Sequence, residues 1–137
     1  MRSSERAARS QSRTHLGQQA ELAVADYLVA SGWRVLARNL RLGPLELDVV
    51  AQKGDVVAVV EVRTRGPGSL AGPFESVTGT KRARLKRAVR RLWRERLSGM
   101  RDVQRVRIDV AAVTFDGGRT RVEYVEGAID GTDFACA

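Results

Sequence analysis

At 137 residues and 43% apolar side chains, the chain has the size and composition of one globular domain with a single core, which excludes a disordered chain. No run approaches the roughly 18–20 apolar residues of a membrane span, and the opening MRSSERAARSQSRT has no apolar stretch of the kind a secretory signal needs, so no membrane partner is expected. The balance of 24 basic to 16 acidic residues gives +8, and the lone Cys136 can form neither an internal disulfide nor a cysteine-based zinc site, which suits a reducing, cytoplasmic setting.

In chain order, residues 1–14 read as a flexible basic arm, 15–130 as a single domain and 131–137 as a tail. LGQQAELAVADYLVAS (16–31) predicts a helix, with Ala20, Ala23, Val24, Tyr27 and Leu28 on its apolar stripe, Glu21 at the stripe's edge and Gly32 as the stop. WRVLARNL alternates Trp33, Val35 and Ala37 as a strand does. Two further strands follow, LELDVVA and VVAVVEVR, joined through Gln52-Lys53-Gly54-Asp55. Residues 66–80 hold two of the three prolines and four glycines and read as a long loop. A helix is expected from Lys81 to Leu97, burying Leu85, Ala88, Val89 and Leu92. VRIDVAAVTF and RTRVEYVE close the chain as a hairpin about Asp116-Gly117-Gly118. The predicted order is α-β-β-β-α-β-β, an α/β fold.

Charge is concentrated. Residues 81–107 carry twelve basic side chains against Glu95 and Asp102, leaving the remainder about neutral. Such clustering points to a polyanion partner, nucleic acid above all. A solvated helix face remains the alternative, since 21 Arg to 3 Lys marks an arginine-rich composition throughout.

Three carboxylates interrupt the apolar strands: Glu46, Asp48 and Glu61. With a Lys53-Gly54 turn, Glu46 faces Glu61 and Asp48 faces Val59, so Asp48 and Glu61 are diagonal neighbours with Arg63 on the same face. Like charges so placed need open water, an arginine or a divalent cation. Mg²⁺ binds through one or two carboxylates and leaves positions for water and phosphate. Carboxylates beside a basic helix therefore suit phosphodiester hydrolysis. Salt bridges to Arg63 or Arg65 would satisfy the same residues without chemistry. His15 reads as a surface residue, Trp33 and Trp93 as packing residues.

The pattern D48-x12-E61-V62-R63 resembles the PD-(D/E)xK nuclease signature, with Arg at the usual Lys position. GQQAELAVADYLVASGWRVLARNLR, GPLELDVVA, VVAVVEVRTR, SVTGTKRARLKRAV and VRIDVAAV together resemble the YraN-like family of uncharacterised bacterial proteins, related to Holliday-junction resolvases, over residues 17 to 113. The resemblance implies a restriction-endonuclease-like fold, a mixed central sheet flanked by helices. It implies that Glu21 is a helix-borne acid of the site, that Asp48 and Glu61 are ligands for Mg²⁺ or Mn²⁺, and that Glu46 matches the Glu of a G-E-I-D motif, from which Pro44-Leu45 departs. Arg63 stands at the catalytic Lys position. Arginine stays protonated, so it stabilises charge but serves no base; three outcomes are open: Arg63 substitutes with reduced activity, Lys81, matching a lysine common in the family, reaches the site in its place, or nucleic acid is bound without being cut. Asp109 matches a family position and is expected to pair with an arginine of the basic helix.

Three readings follow. The first is a metal-dependent endonuclease acting on DNA, branched or damaged DNA included, with Glu21, Asp48, Glu61, Arg63 and Lys81 as catalytic candidates, Asp48, Glu61 and Glu46 as metal ligands, and Lys81, Arg84, Lys86, Arg87, Arg90, Arg91 and Arg94 on phosphates. The second is a non-catalytic nucleic-acid-binding module with a degenerate site at Arg63. The third is a basic face for an acidic protein. Resolvase-like nucleases often pair, which makes a homodimer an expectation of the resemblance.

Overall fold

The computed structural model describes residues 2–65 and 79–129, with side chains from residue 15. Helix α1 (Arg2–Ala30) precedes strands β1 (Arg34–Leu42), β2 (Leu45–Lys53) and β3 (Val56–Arg65). Helix α2 (Gly79–Leu92) runs into a π-helical turn (Trp93–Leu97), and strands β4 (Arg105–Asp116) and β5 (Arg119–Val125) follow. The five strands make one sheet in chain order. Only β3 and β4 pair in parallel, across the connection that carries α2. This is the expected α/β class with a mixed sheet and the expected order. No helix among the described residues is long and apolar enough to cross a membrane.

The helix expected over 16–31 continues toward the N-terminus to Arg2, across the stretch read as an arm. That stretch holds no Gly or Pro, so nothing in it breaks a helix; its side chains lie outside the described residues. So do residues 66–78 of the long loop and the tail from 130. Gly79 and Thr80, assigned to the loop, open α2 instead. At the other end of α1, Trp33 N–H reaches Leu28 O at 2.9 Å around Gly32, the bond that closes a glycine-terminated helix.

Each face of the sheet takes one helix because strand side chains alternate. Val49, Ala51, Ala58 and Val60 pack on Ala20, Val24 and Leu28 of α1. Val50, Val57, Val59 and Ile108 pack on Leu85, Ala88, Val89 and Leu92 of α2, the full stripe that helical periodicity predicts. Tyr27, expected on the α1 stripe, is 40% exposed and stacks on Tyr124 of β5 at 5.4 Å.

The β2–β3 register differs from expectation. Lys53 pairs with Val56, so the turn is Gly54-Asp55 and partners sum to 109 rather than 107. Gly54 supplies the positive φ, 61°, at the first central position, where a hairpin turn favours glycine. The slip is two residues, which keeps every side chain on its expected face. It moves Asp48 from beside Val59 to a position opposite Glu61, one step past the pair Val49↔Val60.

Asp109 belongs to the fold rather than to the basic helix. It is fully buried and accepts hydrogen bonds from Arg107 (2.9 and 3.1 Å), the Tyr124 hydroxyl and Gly127 N–H (2.8 Å). Its arginine is on its own strand because residues two apart in β4 share a face. Arg107 also lies over the Trp33 ring at 5.3 Å, a packing role for that tryptophan as expected. Asp109→Ala strands three donors and is expected to cost about 3–5 kcal/mol. Glu126→Ala removes only an exposed partner 3.5 Å from Arg107 and should cost about 0–1 kcal/mol. Urea denaturation of both variants checks the contrast.

Candidate functional site

The β2–β3 register sets Asp48 and Glu61 side by side on the α2 face. Asp48 is half-buried and its Oδ2 accepts the Val62 N–H at 2.9 Å; Glu61 is buried. Across them stands the first turn of α2. Lys81 Nζ lies 2.7 Å from Glu61 Oε1, and half of its side chain is exposed. Thr80 and Lys81 of the first turn line the cleft with both carboxylates, which puts the positive end of α2 beside them, and that turn holds no acidic residue of its own. A cleft of about 480 Å³ opens here, lined by both carboxylates, Glu46, Thr80, Lys81 and Arg84 over an apolar floor that includes Leu85 and Ala88.

Burial pushes the Asp48 carboxyl up to about 7, reinforced by the negative charge of Glu61 and then Glu21, and opposed by the Val62 N–H. Glu21 approaches from α1. Burial raises its pKa first, the charges of Glu46 and Glu61 add to that, and a hydrogen bond from Asn39 and the charge of Arg38 oppose it. Its Oε2 is buried without a hydrogen-bond partner. Glu21 and Glu46 share a shallow groove with Asn39 and Arg41, and Glu46 lines the main cleft as well. The acids therefore form one electrostatic unit spread over two adjoining depressions.

The expected residues divide accordingly. Asp48, Glu61, Lys81 and Arg84 meet in one cleft. Glu46 is exposed at its rim and does not complete a ligand set: among the described residues no three Asp, Glu, His or Cys side chains gather closely enough to hold a metal. Arg63 is half-buried, shares the face of Glu61 two residues on, and does not line the cleft. Arg87, Arg90, Arg91 and Arg94 surround a second pocket farther along α2. Lys86 lies in a third depression with Thr80, Ala83, Arg87 and Arg90. Arg91 is engaged in the fold: it donates to Glu95 at 2.8 Å and to Leu42 O at 3.1 Å, tying α2 to the β1–β2 turn. A Cβ at Gly43 would collide with its guanidinium.

Asn39 escaped the sequence reading. It holds a φ of 52° within β1, between the pairs Arg38↔Val49 and Leu40↔Leu47, across from Asp48. Asn is among the few residues that adopt this conformation without large strain. An Asn inside an otherwise apolar and basic strand was the available signal.

Two carboxylates with one proton between them are what a divalent cation can replace, so Asp48 and Glu61 fit a Mg²⁺ or Mn²⁺ that completes its shell with water and phosphate oxygen. In the unfolded chain Asp48 ionises near its ordinary 3.8, whereas in the folded chain it holds its proton to about 7. The folded state thus binds the extra proton through that window, and stability falls as pH rises across it. Asp48→Asn keeps the shape and removes the charge. It is expected to melt several degrees above wild type at pH 8, with the gap closing as pH falls toward 4; thermal denaturation followed by circular dichroism over that pH range checks it.

Comparison with known proteins places the chain in a family. The model of the uncharacterised protein family UPF0102 matches residues 20–113, the segment holding Glu21, Asp48, Glu61 and Lys81. A UPF0102 protein of Sorangium cellulosum is 49% identical over 117 residues, covering 85% of this chain and 81% of the relative. Relatives in Anaeromyxobacter dehalogenans and Moorella thermoacetica are each 40% identical over 119 residues, covering 87% and 85% of this chain and 87% and 96% of their own lengths. The chain belongs to the UPF0102 family.

Proposed function

We propose that the protein is a divalent-metal-dependent endonuclease that hydrolyses DNA phosphodiester bonds at the Asp48–Glu61 cleft. The observation that carries this reading is the pairing of Asp48 with Glu61 beneath Lys81, at the head of a helix whose exposed faces are basic. The arrangement also agrees with the restriction-endonuclease-like fold that the sequence resemblance implies. Mg²⁺ or Mn²⁺ bound there would polarise the phosphoryl oxygen and lower the pKa of water.

The chain's own residues do the rest. Lys81 and Arg84 attract the scissile phosphate into the cleft and offset the charge that grows on its oxygens. Lys81 is half-exposed but Glu61 is buried, so moving Lys81 from carboxylate to phosphate needs a cation to take its place beside Glu61. Lys81 thereby does from α2 what a lysine at the Arg63 position would do from β3. Arg63 adds fixed positive charge on the same face of the strand. Asp48, which holds its proton to about 7 in the metal-free site, would give it up on taking a cation, so metal binding strengthens as pH rises. Exposed α2 arginines bind flanking phosphates, which makes association salt-dependent. A homodimer would let two such clefts cut both strands. The lone Cys136 suits work in the reducing cytoplasm.

Second place goes to a non-catalytic nucleic-acid-binding module. It draws on the absence of a three-carboxylate cluster among the described residues and on arginine at position 63. Labelled linear, flap and four-way-junction DNA, incubated with Mg²⁺ or Mn²⁺, separates the two readings. Wild type is expected to cut at least one substrate. Asp48→Asn and Lys81→Ala should each lower the rate by roughly 100-fold, as loss of a transition-state charge partner does, with Asp48→Asn keeping its DNA affinity. Tight, salt-sensitive binding without product from wild type or from Arg63→Lys favours the module. Binding that excess duplex DNA cannot displace from an acidic protein would point instead to a protein partner.

A further inference from the structure

Farther along α2 lies a second pocket of about 550 Å³, lined by Leu45, Arg87, Arg90, Arg91, Trp93 and Arg94. Its composition is unusual for a basic surface. Trp93 is half-buried, packed on the core from one side and lining the pocket on the other. Leu45 adds apolar floor and lines the acidic cleft too, so the two depressions adjoin. Arg87, Arg90 and Arg94 are exposed at the rim, while Arg91 is tied to Glu95 and Leu42 and serves as wall.

The backbone is adapted at the same place. Trp93 opens the π-helical turn, and its carbonyl accepts from Ser98 N–H, five residues on, at 2.8 Å. Such a turn admits an extra residue and re-aims the side chains that follow the last regular α-helical position, Leu92. π-helical turns are rare and occur often at functional sites.

An indole among guanidinium groups matches one chemical object well: a nucleobase with its adjoining phosphates. The pocket has the volume of an ordinary small-ligand site. Bases of an intact duplex are stacked away from it, so only an unpaired or extruded base can enter. We propose that the Trp93 pocket seats an unpaired base of a DNA strand whose phosphates lie on Arg87, Arg90 and Arg94, one step from the Asp48–Glu61 cleft. The proposal rests on the nucleic-acid reading of that cleft and narrows its substrate to DNA with single-stranded character. It also gives Trp93 a role besides packing.

Trp33→Phe leaves Trp93 as the only tryptophan, since the chain has two. Its emission is followed on titration with a single-stranded thymidine oligonucleotide, the same strand made abasic, and a blunt duplex of equal length. Stacking predicts strong quenching by the thymidine strand and little by the abasic strand or the duplex. In parallel, Trp93→Ala should lose roughly 5- to 100-fold in affinity for the thymidine strand, with duplex affinity within about 2-fold of wild type by the same electrostatic contacts. Trp93→Phe should retain most of the single-strand affinity.

Tight binding of the thymidine strand without quenching overturns the proposal, as does an equal loss of both ligands in a folded Trp93→Ala chain. Neither result touches the cleft reading. A wild-type chain that binds no DNA of any form removes both. If Trp93→Ala does not fold, the quenching experiment decides alone.

Discussion

Asp48 and Glu61 repel each other, and burial makes the repulsion worse, yet the backbone holds them together. The β2–β3 ladder, pinned by the Gly54-Asp55 turn, runs to Val49↔Val60 and leaves the two carboxylates as neighbours just past its end, where Val62 N–H turns to Asp48 Oδ2. Two devices soften the cost: the Val62 N–H on Asp48 and the Lys81 ammonium on Glu61. Burial and the charge of Glu61 outweigh the Val62 N–H and still push the Asp48 carboxyl up to about 7. A sheet built for stability alone would not place two carboxylates there. A divalent cation would relieve that retained repulsion and could then hold a phosphate oxygen in its open positions.

Helix α2 connects this pair to everything else. Its stripe of Leu85, Ala88, Val89 and Leu92 anchors it on the sheet, and the Arg91 contact with Leu42 O fixes it against the β1–β2 turn. Its head then carries Lys81 and Arg84 to the carboxylates, while its tail carries Arg87, Arg90 and Arg94 around Trp93. The basic residues thus line two adjoining depressions rather than one uniform surface. The ammonium in the cleft comes from Lys81 of the helix, while the strand position two residues past Glu61 carries Arg63, which does not line the cleft.

Much of this was legible in the sequence. Period-two and helical patterns gave the element order, both buried stripes and the shared face of Asp48 and Glu61. The direct Asp48–Glu61 pairing was hidden, because a turn that slides by one residue shifts register by two and leaves the hydrophobic pattern unchanged. The roles of Arg91 and Asp109 were also hidden. Both depend on contacts across elements, where a carbonyl at Leu42 or a hydroxyl at Tyr124 decides the partner and composition carries no trace of it. Trp93 read as packing from its place beside the apolar stripe. That it also lines a pocket among arginines, at the start of a π-helical turn, depends on contacts the sequence does not display.

Direct binding of Mn²⁺, followed by electron paramagnetic resonance at pH 6 and pH 8 in wild type and Asp48→Asn, tests the central claim without any assumption about substrate. Metal needs Asp48 ionised, so the account predicts saturable binding in wild type that strengthens as pH rises through about 7 and is lost in Asp48→Asn. Equal Mn²⁺ binding by the two chains, or wild-type binding that ignores pH across that range, would contradict it.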